Sequence, residues 1–150
     1  MDKLKKIAVV LAIVLIGIQL IPTAKNKTKN NPKTDFLVNF KASEEVTAIF
    51  KTSCYDCHSN NTYYPWYSKI QPIRFMMDNH IKNGKKDLNF NEFNTYSKRR
   101  QKSKLKSIIS QLEDGEMPLK SYSLLHKEAK LSTGEKKTII DWIEKIKDSL

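Results

Sequence analysis

Glycine, cysteine and acidic side chains are all scarce in this chain. Four glycines in 150 residues, with 39% of the residues hydrophobic, favour a helical domain. No glycine-rich phosphate loop, no Ser/His/Asp triad and no paired-carboxylate site appears, so neither a hydrolase nor a kinase is expected. No internal repeat is present. Carboxylates number 16 against 27 lysines and arginines, a net charge of +11. Residues 1–34 hold seven of those cations and only Asp2, so more than half of the excess sits in the leader. Basicity of this kind is weak grounds for nucleic-acid binding, and no nucleic-acid partner is expected.

The two cysteines stand three residues apart, and a histidine follows: Cys54-Tyr55-Asp56-Cys57-His58. A thioredoxin-like redox pair needs a βαβ setting that is missing around it. A structural zinc site needs four ligands, and His80 and His126 would have to complete it at spacings unlike those of a compact zinc module. The spacing is that of c-type haem attachment, C-x-x-C-H, which is the reading taken over a chance match. Each thiol can add across one haem vinyl group, which places His58 as the proximal axial ligand. Both cysteines are used and none is left over.

A leader supports this reading. Lys3, Lys5 and Lys6 form a basic head that begins at Met1, and Ile7 to Ile21 is an uncharged run of 15 residues. As a helix that run measures roughly 22 Å, against the usual ~30 Å of a hydrocarbon core. The run has no convincing A-x-A cleavage site, and no cysteine near it for lipid attachment. Residues 1–21 are therefore expected to act as an uncleaved signal anchor, with a cleaved signal peptide as the alternative. Leu4 and snorkelling lysines help the short run. The lysines before it put its start in the cytoplasm, although Lys25, Lys27 and Lys29 blur that rule. Residues 22–34, rich in Lys, Asn, Thr and Pro, read as a flexible tether. Residues 35–150 read as the domain, on the periplasmic face of the membrane, or in the periplasm if the leader is cleaved.

Within the domain, Ser43 with Glu44 and Glu45 starts a helix whose Val46, Ile49 and Phe50 form one apolar stripe running into Cys54. Tyr63-Tyr64-Pro65-Trp66-Tyr67 reads as an extended aromatic wrap suited to porphyrin faces. Pro72 opens a helix with Ile73, Met76, Met77, His80 and Ile81 on one face, ended by Gly84. Phe90 and Phe93 are expected to be buried. Six basic residues within Lys98–Lys106 begin an amphipathic helix carried on by Leu105, Ile108, Ile109 and Leu112. They are either a solvated face or a docking patch for an acidic partner or lipid headgroups. In Gly115-Glu116-Met117-Pro118-Leu119, Pro118 holds Met117 extended, so its thioether is a candidate second axial ligand. His80 and His126 are rival ligands. Ser132 and Glu135 spell a capping box before a helix carrying Ile139, Ile143 and Trp142.

Taken together, the chain resembles the bacterial haem-binding domain proteins, small membrane-tethered c-type monohaem proteins. The resemblance runs from about Asp35 to Trp142. It rests on Cys-Tyr-Asp-Cys-His-Ser-Asn at 54–60, Tyr-Pro-Trp-Tyr at 64–67, His80-Ile81 with Gly84, and Leu88-Asn89-Phe90. It continues in Gly-Glu-Met-Pro-Leu at 115–119, Ser121-Tyr122, His126, Ala129, Leu131-Ser132 and Trp142. It implies one covalent haem c on Cys54 and Cys57, with His58 as axial ligand and Met117 as the best sixth-ligand candidate. Phe75 and Met76 stand where the family's pattern has tryptophan, which alters one pocket wall. The order helix, C-x-x-C-H, middle helices, methionine loop, C-terminal aromatic helix resembles class I cytochrome c more loosely.

The expectation is thus an all-α, cytochrome c-like domain around one haem, preceded by a hydrophobic helix. It would serve one-electron transfer with a redox partner protein, as a carrier more than an enzyme. A haem-based sensor or ligand-binding module is the alternative, and a peroxidase-like enzyme a further one.

Overall fold

A computed structural model describes residues 2–28 and 32–150. Met1, at the start of the expected leader, and residues 29–31, in the expected tether, lie outside the described residues. The described chain is all-helical: α1 (Lys3–Ile18), α2 (Phe36–Asn39), α3 (Glu44–Ser53), α4 (Tyr55–His58), α5 (Ile73–Asp87), α6 (Lys98–Glu113), α7 (Lys120–Leu125) and α8 (Thr133–Ser149). Short 3₁₀ turns span Trp66–Lys69, Phe90–Thr95 and Lys127–Ala129.

Caps set the helix starts. Asp35, Ser43, Ser97 and Ser132 each accept a backbone N–H three residues on, satisfying a donor that the first turn leaves orphaned. Ser132 and Glu135 form the full reciprocal capping box. Ser132→Ala should therefore cost about 1 kcal/mol, read as a lower urea midpoint with an unchanged slope.

The core is an aromatic cluster on Phe36, which is fully buried. Its ring centroid lies 4.6 Å from that of Phe93, 5.1 Å from Trp142, 5.4 Å from Phe90 and 5.6 Å from Phe50. Val46, Ile49, Leu105, Ile109, Leu112, Ile139, Ile143 and Ile146 fill in around them, one stripe from each of α3, α6 and α8. Phe90 also stacks on Tyr55 at 5.2 Å and meets the His58 ring edge-on at 6.0 Å, so the core ends against the C-x-x-C-H turn.

Three expectations are corrected by this packing. The helix opened by Pro72 does not stop at Gly84 but runs to Asp87. Of the expected face only Ile81 is fully buried, together with the unexpected Arg74, while Met76 is 56% and Ile73 39% exposed. Arg74 is tolerated inside because its charge is met by Asp78 at 2.7 Å, by the Ala24 carbonyl at 2.5 Å and by the Tyr64 ring face. Finally, the aromatic segment is not one wrap. Tyr63 and Trp66 are 70% and 74% exposed, Tyr64 hydrogen-bonds the Asn26 N–H, and Tyr67 pairs with His126.

The leader forms the helix α1, and none of its residues is buried. Among the described residues, no helix is long and apolar enough to cross a membrane. After α1 the chain lies along the domain. Gln19 and Gln71 exchange two hydrogen bonds, of 3.0 and 3.2 Å. Asn26 donates to the Ser59 carbonyl and Thr62 Oγ1 and accepts from Lys85 Nζ, and Lys27 bridges to Asn61.

Candidate functional site

Cys54 caps the C-terminus of α3, and the next four residues form the single turn of α4. The turn is pinned through Asp56. Its carboxylate accepts from the Tyr63 N–H at 2.9 Å and the Tyr122 hydroxyl at 2.8 Å, and its carbonyl from Thr62 Oγ1 at 2.7 Å. Asp56 had no role in the sequence reading because its partners lie in a loop and on α7. Carboxylates in such positions order a turn without belonging to any spacing motif.

Helix α5 crosses this turn at Gly84. A Cβ on Gly84 would stand 2.8 Å from the Cys57 carbonyl oxygen, 3.3 Å from the carbonyl carbon and 3.4 Å from the Cys57 Cβ. Only glycine lets the two backbones approach so closely. That approach also serves His58. Its Nδ1 lies 3.0 Å from both the Gly84 and the Leu88 carbonyl oxygens. Carbonyls only accept, so Nδ1 carries the proton, and Nε2 is left with its lone pair. Burial lowers the His58 pKa, favouring the neutral imidazole that a metal requires.

Two adjoining hollows, of about 220 and 340 Å³, share Cys54, His58, Asp87 and Met117 in their walls. Cys57, His80, Gly84 and Tyr122 also line the first; Phe90, Lys104 and Ile108 belong to the second. Met117 reaches this place because α6 stops at Asp114 and Gly115 turns with φ 70°. The backbone N–H groups of Glu116 and Met117 then both donate to the Gln111 carbonyl. The Met117–Pro118 peptide bond is cis.

The six residues singled out in the sequence thus fall into two groups. Cys54, Cys57, His58, Met117 and His80 line the first hollow together. His126 does not. It is buried with its two ring nitrogens directed at the Tyr67 hydroxyl and, at 3.4 Å, at Glu128, and its ring stacks on Tyr122 at 4.3 Å. A nitrogen already engaged by a hydroxyl is not offered to a metal, so His126 belongs to the wall behind Tyr122.

The thiols are neutral in the free polypeptide: burial pushes Cys54 up to about 12 and Cys57 to about 11. Two thiols, one imidazole nitrogen with a free lone pair and one thioether around two adjoining hollows, the second walled by Phe90 and Ile108, are a donor set that fits an iron porphyrin.

Neither the curated proteins nor the solved structures contain a match to this chain. The family model described as haem-binding domain matches residues 13–145. That span reaches from within α1 almost to the end of α8, and so takes in the C-x-x-C-H turn, the α5 crossing and the methionine loop. The chain belongs to the haem-binding domain family.

Proposed function

We propose that the protein holds one haem c covalently and serves one-electron transfer, anchored by α1 to the outer side of the cytoplasmic membrane. The observation that carries this is the meeting of Cys54, Cys57, His58 and Met117 in the wall of one hollow, with His58 Nδ1 already occupied by backbone carbonyls. In this reading Cys54 and Cys57 would hold the haem through two thioethers, and His58 Nε2 and the Met117 sulfur would hold its iron. When bound, the haem supplies a one-electron couple whose potential follows from its axial ligands and its burial.

The chain's own residues do the rest. Gly84 and Leu88 orient the imidazole, Phe90 and Ile108 keep one wall apolar, and Asp56 holds the attachment turn. Thiols kept neutral by burial are slow nucleophiles, which accords with attachment by a maturation system. In this reading the all-helical domain is a small cytochrome c-like one.

A second reading, a haem-based sensor, is favoured by one observation: Met117 sits on a loop, half-buried, and not on a helix. A loop-borne ligand can leave. The test compares wild type and Met117→Ala after co-expression with a cytochrome c maturation system. The carrier reading expects wild type to gain the mass of one haem, to show a six-coordinate ferrous spectrum and to bind carbon monoxide slowly. Met117→Ala should bind it at once and show a lower potential, because a thioether ligand raises the potential. Rapid binding by wild type would favour the sensor. An unchanged mass, with no haem spectrum, would remove both.

A further inference from the structure

Beyond the proposed tether, and resting on it, we infer that the domain itself has a lipid-facing surface: the face formed by the 3₁₀ turn Trp66–Lys69 and the first turns of α5. A lone exposed hydrophobe is ordinary, but a run of them marks a contact surface. Here Trp66 is 74% exposed, Phe75 71%, Met76 56%, Ile70 42% and Ile73 39%. All five fall within 11 residues and pack on no core. Lys69, also exposed, stands among them.

Continuity with α1 identifies what covers this face. The end of the leader is bonded to the start of α5: Gln19 to Gln71 in both directions, and the Ala24 carbonyl to Arg74. Ile21, Pro22 and Ala24 share a groove with Phe75. The exposed apolar residues therefore begin where the apolar leader ends, and whatever solvates α1 reaches them. A bilayer is the one surface that serves both.

The length of α1 adds a second argument. Its 16 residues rise about 24 Å, several ångströms short of the usual hydrocarbon thickness. A short apolar helix is accommodated when flanking groups reach into the interface. Sinking the α5 face to headgroup depth draws Leu20 and Ile21 into the apolar layer. Trp66 then takes the depth that indoles favour, and Lys69 reaches its ammonium back to the phosphates.

The test uses the full, haem-loaded chain in vesicles of phosphatidylethanolamine and phosphatidylglycerol. A photoreactive benzoylphenylalanine replaces Trp66, Phe75 or, as a control on the far helix α8, exposed Lys137. Flotation of the vesicles reports the tether, and the intact mass after illumination reports what each position touches. The expected result is a floating chain with lipid adducts at positions 66 and 75 and none at 137. A floating chain with no lipid adducts at 66 and 75, or with adducts equal to those at 137, would overturn the lipid-facing surface and leave the tether standing. Adducts to a second copy of the chain would overturn it in favour of a protein contact. A chain that does not float would overturn the tether, and the surface with it.

Discussion

A Cys54→Ala, Cys57→Ala double variant will leave the maturation system with the mass of its bare polypeptide. These are the chain's two cysteines, so no other side chain can form a thioether to a vinyl group. The variant should still fold. Cys54 only flanks the core cluster, and alanine keeps its Cβ there. His58 keeps both carbonyl partners, since they lie on α5 and just after it. Any haem the variant holds is then held by coordination and packing alone. Denaturation in acidified organic solvent should extract all of it, whereas wild type should retain its haem. Each single variant should keep one bond and a shifted absorption band. Haem that stays on the double variant through extraction would refute covalent attachment at these sulfurs.

Gly84→Ala is the second large effect, and its sign runs against helix propensity. Inside a helix, glycine to alanine ordinarily gains about 1 kcal/mol. At Gly84 the new methyl would meet the Cys57 backbone at 2.8 Å, and backbone cannot rotate away as a side chain can. Relief requires α5 and α4 to separate, which takes the Gly84 carbonyl away from His58 Nδ1. Overpacking of this kind costs about 1–3 kcal/mol, so the net change should be a loss of stability with a lower yield of attached haem. Gly134→Ala is the matched control. Its Cβ would meet nothing closer than Ser132 Oγ at 4.0 Å, so that variant should be neutral or slightly stabilised. Urea midpoints of the three proteins decide the matter. Equal midpoints for Gly84→Ala and Gly134→Ala would mean that the crossing of α5 over the attachment turn is not tight.

How far the sequence was legible follows from the range of the interactions. The C-x-x-C-H spacing, the cap at Ser43 and the box at Ser132 are local, and local chemistry fixes them within five residues. The stripes of α3, α6 and α8 were legible because a plain apolar core selects plain apolar faces. Helix α5 was misread for the opposite reason. Its inner face holds an arginine and a glycine, and both are explained by partners distant in sequence: Ala24 and Tyr64 for Arg74, Cys57 for Gly84. His126 gave no sign that Tyr67, 59 residues earlier, engages it. The exposed Trp66 and Phe75 read as wrap and pocket wall, since a sequence does not mark which apolar residues stay outside. Met117 stands out in the sequence because the proline after it marks a loop methionine, and the structure does place it in a loop at the wall of the hollow.

One detail of the His58 setting bears on energetics as well as on orientation. An Nδ1–H held by carbonyl oxygens, here two at 3.0 Å, draws electron density onto the imidazole, making Nε2 a stronger donor than in a histidine whose Nδ1–H has no acceptor. A stronger donor stabilises ferric over ferrous iron. Were an iron porphyrin held by His58 and Met117 as proposed, the imidazole would lower the couple where the thioether would raise it, and lengthening either carbonyl contact would tilt that balance toward reduction.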